Sequence, residues 1–196
     1  MAYIDDKLAC NHATTLHYTL GDHFPLPSSA DPQPFPYDCS STSYSALVQL
    51  YARLGQLPTC HLLFRRGMAS SSQCRFGCYH AETVHHLFIL CPQFEGYRQS
   101  TILDIQRITL GLVESISLAH RDMLMQTIPT ILAEESILTW SMGFNMWYYG
   151  HSPDIAKDFP FLSIQLVHSL SKSWHTSFIH LAGRIWGHVQ RSHYHV

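Results

Sequence analysis

Charged side chains are few in this sequence: Asp, Glu, Lys and Arg together make up 13% of its 196 residues. A disordered chain needs more charge and fewer apolar groups, and the 46% apolar share supplies ample material for a core. Excess positive charge is missing too. Lys and Arg number 12 against 14 Asp and Glu, a net of −2, which argues against a strongly basic nucleic-acid binder. No secretory pattern opens the chain, because Met1-Ala2-Tyr3-Ile4-Asp5-Asp6 is acidic where a signal peptide carries positive charge. A membrane-length apolar run is absent as well. The longest uncharged stretch of note, Ser136 to Pro153, contains Asn145, His151, four Ser or Thr residues and a terminal proline. A bilayer helix needs about 20 predominantly apolar residues, so this stretch reads as a buried helix. The expectation is an intracellular protein of nucleus or cytoplasm, neither secreted nor membrane-bound, with reduced thiols.

What the sequence has in quantity is six Cys and fifteen His, distributed over three unlike regions. Residues 1–43 carry a net charge of −4 and five prolines between Phe24 and Pro36. Proline removes backbone donors and biases its predecessor to extended conformations, so this region reads as an irregular arm. Residues 44–98 turn helical. Leu47, Leu50, Tyr51 and Leu54 recur at i, i+3, i+4 and i+7, predicting one apolar stripe on a helix that Gly55 ends. Pro58 suits the first turn of a second short helix through Leu62, Leu63 and Phe64, stopped by Gly67. A polar loop follows over Ser70 to Gln73, then a short helix over Thr83 to Leu90 that ends near Pro92.

Residues 99–196 are read as helical by the same test. Ile102, Ile105, Ile108 and Leu112 recur at near-helical spacing, and Ile128 to Tyr149 is long and apolar. A final helix from about Phe161 to Val189 carries Leu162, Leu166, Leu170, Trp174, Phe178, Leu181, Ile185 and Val189. With alternating patterns rare and no internal repeat, the fold is expected to be all-α, a small helical domain with a zinc-knuckle-like insertion.

That insertion is the informative stretch. Cys74-Arg75-Phe76-Gly77-Cys78 is followed by His80, His85, His86 and Cys91-Pro92, and with His86 the spacing is Cys-x3-Cys-x7-His-x4-Cys. Structural zinc wants four soft or borderline ligands in a tetrahedron, and two thiolates this close can bend around one ion on a turn that Gly77 makes easy. Three Cys and one His close the shell, leaving no open position for a substrate. His86 is favoured by its x4 gap to Cys91, with His85 as the alternative ligand. Cys10, Cys39 and Cys60 lack such spacing and read as simple thiols.

On these residues the chain resembles the zinc-binding tail that follows the reverse transcriptase, and often RNase H, domains of fungal non-LTR retrotransposon proteins. The matching pieces are Leu47-Val48-Gln49-Leu50, Leu63-Phe64-Arg65-Arg66-Gly67, Cys74, Cys78, the run Ala81 to Pro92, and Tyr97-Arg98. Near the carboxyl end Trp174-His175-Thr176 and Leu181 to Arg191 also resemble such proteins. Cys-x3-Cys stands where the family usually has Cys-x2-Cys. The resemblance implies Cys74, Cys78, His86 and Cys91 as ligands of one structural Zn2+. It also implies an accessory role in binding RNA or DNA, weak and salt-sensitive, with Arg65, Arg66, Arg75 and Arg98 on phosphates. Other domains of a retroelement polyprotein are the further partners it suggests. The alternative is a structural or protein-interaction remnant with no activity of its own.

Catalysis is not expected. Tyr3-Ile4-Asp5-Asp6 spells a reverse-transcriptase motif, but the third Asp and the palm strands such a site needs do not accompany it. Glu134 and Glu135 are adjacent and face different sides of a helix, and Cys60-His61 has no orienting third group. Trp140, Phe144, Trp147 and Tyr148 fit core packing better than base stacking. His188, His193 and His195 read as a solvated tail.

Overall fold

The computed structural model describes residues 43–133 and 147–192. These residues are mainly helical, as expected, and hold no strand; one isolated antiparallel bridge pairs Gln73 with Ala81. Helix α1 spans Ser43–Arg53, α2 Cys60–Arg65, α3 Glu95–Leu112, α4 Leu118–Thr127, α5 Ile155–Asp158 and α6 Ile164–Ser192. The arm prolines, Tyr3 to Asp6, Cys10, Cys39, Glu134, Glu135, Trp140, Phe144, His193 and His195 lie outside the described residues.

Helix α6 organises the rest. Its 29 residues extend roughly 43 Å at the α-helical rise. Leu170, Trp174, Phe178, Leu181, Ile185 and Val189, spaced by three or four, are all buried, as their periodicity predicts. α1 and α3 pack along it, and α5 and the 3-10 turn Trp147–Tyr149 join them. Trp147, Tyr148, Phe88, Trp174 and Phe178 fill the centre, each fully buried. Burial of such a side chain contributes on the order of 1.5–3 kcal/mol. Trp174 meets its one polar need there: its Nε1–H donates to Thr109 Oγ1 at 2.9 Å.

Two glycines end helices as their positions suggest. Gly55 at φ +62° and Gly67 at φ +69° adopt the left-handed conformation that costs glycine little. Each closes a Schellman pair, Gln56 N–H to Tyr51 O with Gly55 N–H to Ala52 O, and Met68 N–H to Leu63 O with Gly67 N–H to Phe64 O.

Three expectations need correction. The stripe of Leu47, Leu50 and Tyr51 on α1 faces outward, with Leu47 50% and Tyr51 49% exposed. The smaller Ala46, Val48, Gln49 and Ala52 are buried instead. Close approach to α6 selects them: a Cβ on Gly183 would lie 2.7 Å from Ser45 Cβ, so bulky residues do not fit at that crossing. Pro58 precedes the second helix instead of opening its first turn, because Thr59 takes the cap and its Oγ1 accepts from Leu62 N–H. Finally, the apolar run Ile128 to Tyr149 is not one helix at its two described ends. Pro129 leaves a 3-10 turn at Ile128–Thr130, and another 3-10 turn at Trp147–Tyr149 leads into Gly150 at φ +89°. None of the described helices is long and apolar enough to cross a membrane.

Candidate metal centre

A short hairpin and the turn after it bring four ligating side chains together. Cys74 N–H donates to His80 O at 3.0 Å and Glu82 N–H to Ser72 O at 2.8 Å, which fixes residues 72–82 as a loop doubled on itself. Within it Gly77, at φ +81°, lets the chain reverse between Cys74 and Cys78, and its N–H donates to Cys74 O at 3.1 Å. Thr83 then caps the next helical segment, its Oγ1 accepting from His86 N–H at 3.0 Å.

That segment holds the main local surprise. Instead of a plain α-helix to Leu90, His86–Leu90 is a π-helical turn, closed by Cys91 N–H donating to His86 O at 2.6 Å. The wider winding sends Leu87, Phe88 and Ile89 into the core while His86, 3% exposed, faces the cysteines. Arg98 on α3 holds the far end of the turn. Its Nη2 donates to Cys91 O at 2.9 Å and its Nη1 to Phe88 O at 3.4 Å.

The donor atoms of Cys74, Cys78, His86 and Cys91 all lie within 4.8 Å of one another. Cys91 Sγ is 3.9 Å from Cys74 Sγ and 3.7 Å from Cys78 Sγ. A tetrahedron with zinc–sulfur bonds of ~2.3 Å has sulfur–sulfur edges of about 3.8 Å, so these separations fit a common ion. They are far from the ~2.05 Å of a disulfide. Neither ring nitrogen of His86 has a hydrogen-bond partner among the described residues, although both are buried. A buried polar atom left unpaired is costly, and a metal–nitrogen bond would satisfy one of the two. The chemistry of this set therefore suits a metal ion such as zinc.

Electrostatics point the same way. Burial pushes the Cys91 thiol up to about 12, aided by its two sulfur neighbours, and burial raises the Cys74 thiol as well. Burial, with His80 nearby, lowers His86 and keeps its imidazole neutral. A divalent ion supplies the positive charge that lets buried thiols ionise, and a neutral imidazole is the form that ligates.

His85 takes no part. Its Nδ1 lies 3.0 Å from Tyr148 Oη, on the other side of the segment. His80 is exposed, with its ring 5.7 Å from that of His86. Cys60 is a half-buried free thiol at the start of α2, outside the four-residue set.

The four arginines divide. Arg65 and Arg66 are exposed, Arg66 Nη2 donating to Gln56 Oε1 at 2.9 Å. Arg98 is 4% exposed and turned inward, also bonding Glu95. Arg75 is committed to Glu82 through Nε at 2.8 Å and Nη2 at 2.6 Å. Arg75 and Arg98 are thus engaged within the protein, and Arg65 and Arg66 stand at its surface. Sequence reasoning missed Glu82. Its carboxylate is fully buried and also accepts Cys60 N–H at 2.8 Å and Arg75 N–H at 3.0 Å, tying α2 to the hairpin. Only its odd place, an acid inside a Cys- and His-rich loop seven residues from an arginine, hinted at it.

Comparison with known protein families, curated proteins and solved structures gave no match.

Proposed function

We propose that the protein is a non-catalytic helical module held by one structural Zn2+ on Cys74, Cys78, His86 and Cys91. The single observation that carries this reading is the convergence of four donors within 4.8 Å, with both His86 ring nitrogens buried and unpartnered. Bound there, zinc would supply folding free energy and no open coordination position, since all four ligands come from the chain. Three thiolates fit a reducing, intracellular compartment, nucleus or cytoplasm.

The resemblance of residues 44–98 to retrotransposon reverse-transcriptase tails supports an accessory role in weak, salt-sensitive RNA or DNA binding. Arg65 and Arg66, exposed together at the end of α2, are surface cations for such contacts. A second reading draws on α1. The outward Leu47, Leu50 and Tyr51 form an apolar face suited to another domain of a retroelement polyprotein, as a structural or protein-interaction remnant would retain.

Metal analysis of the purified protein tests the central claim. One zinc per chain is expected, with retention reduced in Cys78→Ser and Cys91→Ser. A chain that keeps no zinc, and whose circular dichroism and melting ignore a strong chelator, would overturn it.

A further inference from the structure

A groove with a volume of about 1320 Å³ lies between α1, α3 and α6, and none of the four candidate metal ligands lines it. Along α6 it is lined by Lys172, Thr176, His180, Arg184 and Arg191. At 3.6 residues per turn these positions fall within an arc of about 120°, on one face. Lys172 and Arg191 stand roughly 28 Å apart at 1.5 Å per residue. That length matches on the order of eight phosphates at ~3.4 Å per nucleotide of one strand.

The charge of this groove is unlike that of the chain. The sequence contains no Asp or Glu after Asp158, so α6 has three permanent cations and no acid. Among the described residues, no carboxylate lies in ion-pair contact with Lys172, Arg184 or Arg191. Among the described residues the one acid in the lining is Asp104, and Arg107, also in the lining, pairs with it at 2.7 Å. The described lining residues therefore sum to a net charge of about +3 on a protein whose total is −2. Aromatic surface is present too. Tyr44 is 50% exposed at one wall, and Tyr97 carries the Arg184 guanidinium 4.7 Å above its ring.

A cationic track with flanking aromatic rings is the combination that holds single-stranded nucleic acid, phosphates on the cations and bases on the rings. We infer that the groove between α1, α3 and α6 binds the backbone of a single-stranded nucleic acid through Lys172, Arg184 and Arg191, with Tyr44 offering a stacking face. The inference rests on the accessory nucleic-acid role proposed above, and it places the principal contact on α6. Salt dependence is built in, because each neutralised phosphate releases counterions.

Fluorescence anisotropy with a labelled mixed-sequence 12-nucleotide DNA, its RNA counterpart and the matching DNA duplex tests this on the zinc-loaded full chain. The expected result is single-strand binding in preference to duplex. The triple substitution Lys172→Ala, Arg184→Ala, Arg191→Ala should weaken it at least tenfold at 50 mM salt. The slope of log affinity against log salt should fall by about 2, from ~0.7 per lost contact on a single strand. Tyr44→Ala should weaken binding without changing that slope. Arg184→Lys with Arg191→Lys should keep the native slope, which separates charge from folding. Native affinity and slope in the triple variant, with binding lost instead in Arg65→Ala plus Arg66→Ala, would overturn the groove and leave the accessory role standing. Duplex bound as tightly as single strand would overturn the single-strand assignment. No binding by the native chain would remove both the groove and the nucleic-acid role, while the zinc measurement still decides the metal centre.

Discussion

Replacing Glu82 by alanine removes the carboxylate that joins α2 to the hairpin carrying Cys74 and Cys78. In the native chain this fully buried group accepts four hydrogen bonds: from Cys60 N–H, Arg75 N–H, Arg75 Nε and Arg75 Nη2. After the substitution the Arg75 guanidinium stays behind, with its side chain only 12% exposed and Nη1 already without a partner among the described residues. Breaking a buried pair by deleting one member costs about 3–5 kcal/mol, because an uncompensated charge remains. For a chain of this size that corresponds to a fall in melting temperature of roughly 6–20 °C. Glu82→Gln keeps the shape and one acceptor, so it should lose about 1.5–3 kcal/mol. Replacing both partners, Glu82→Leu with Arg75→Met, should recover much of the loss, since an apolar pair leaves no buried charge. Thermal melts of the zinc-loaded proteins by circular dichroism at neutral pH read all three. Because Arg75 adjoins Cys74, Glu82→Ala should also surrender zinc to a chelator at lower chelator concentration. A Glu82→Ala protein melting within about 1 °C of native would refute the reasoning, and so would a double variant no more stable than the single.

Other outcomes follow from the same geometry. Burial pushes the Glu82 carboxyl up, but the hydrogen bonds from Arg75 and Cys60 outweigh it and hold its pKa below the ordinary value. Its stabilisation is therefore complete above the unfolded pKa of about 4.3 and is lost as pH falls through the lower, folded value, so an acid titration of Glu82→Gln should lack that part of the native stability loss. In urea titrations Gly183→Ala should destabilise by about 1–3 kcal/mol despite alanine's helix preference, because the new Cβ would meet Ser45 Cβ at 2.7 Å and Cα at 3.1 Å; Gly187→Ala, facing only side-chain tips at 3.4 Å and beyond, should be neutral or slightly stabilising. Chelation should diminish near-ultraviolet circular dichroism together with far-ultraviolet signal, since Phe88 of the π-turn lies 5.7 Å from Trp147 in the core.

The parts of this molecule that could be read from the sequence are those governed by local rules. The stripe from Leu170 to Val189 on α6 repeats often enough that burial has one consistent solution. Gly55 and Gly67 sit where only a left-handed residue ends a helix easily. The ligand spacing around Gly77 brought Cys74, Cys78, His86 and Cys91 into one candidate set, and the structure gathers the same four. The misreadings come from contacts distant in sequence. α1 presents its small side chains inward because Ser45 crosses Gly183, 138 positions away by number, and nothing in its own periodicity reveals that partner. Arg75 and Arg98 looked like phosphate ligands because a sequence shows charge but not what neutralises it; Glu82 and the carbonyls of Phe88 and Cys91 had claimed them. The charge of the α6 groove is hidden for a related reason: acids up to Asp158 cancel the cations after it in a sum over residues 111–196.

The π-turn explains why the Cys74, Cys78, His86 and Cys91 cluster and the helical core are one structural unit and not a knuckle attached to a bundle. An α-helix closes each turn four residues back, whereas Cys91 N–H reaches His86 O, five back. The extra residue lets a single segment satisfy two demands, one face of it reaching the cysteines and three consecutive residues, Leu87, Phe88 and Ile89, buried in the core. Pro92 has no N–H to offer Phe88 O, and Arg98 donates to that carbonyl and to Cys91 O from α3. α3 in turn packs along α6. A change in the ligand cage therefore passes through His86 to Phe88, and through Cys91 to Arg98 and α3. With zinc bound, its coordination energy would be spent on holding the core in register, the use that a closed, four-ligand ion can serve.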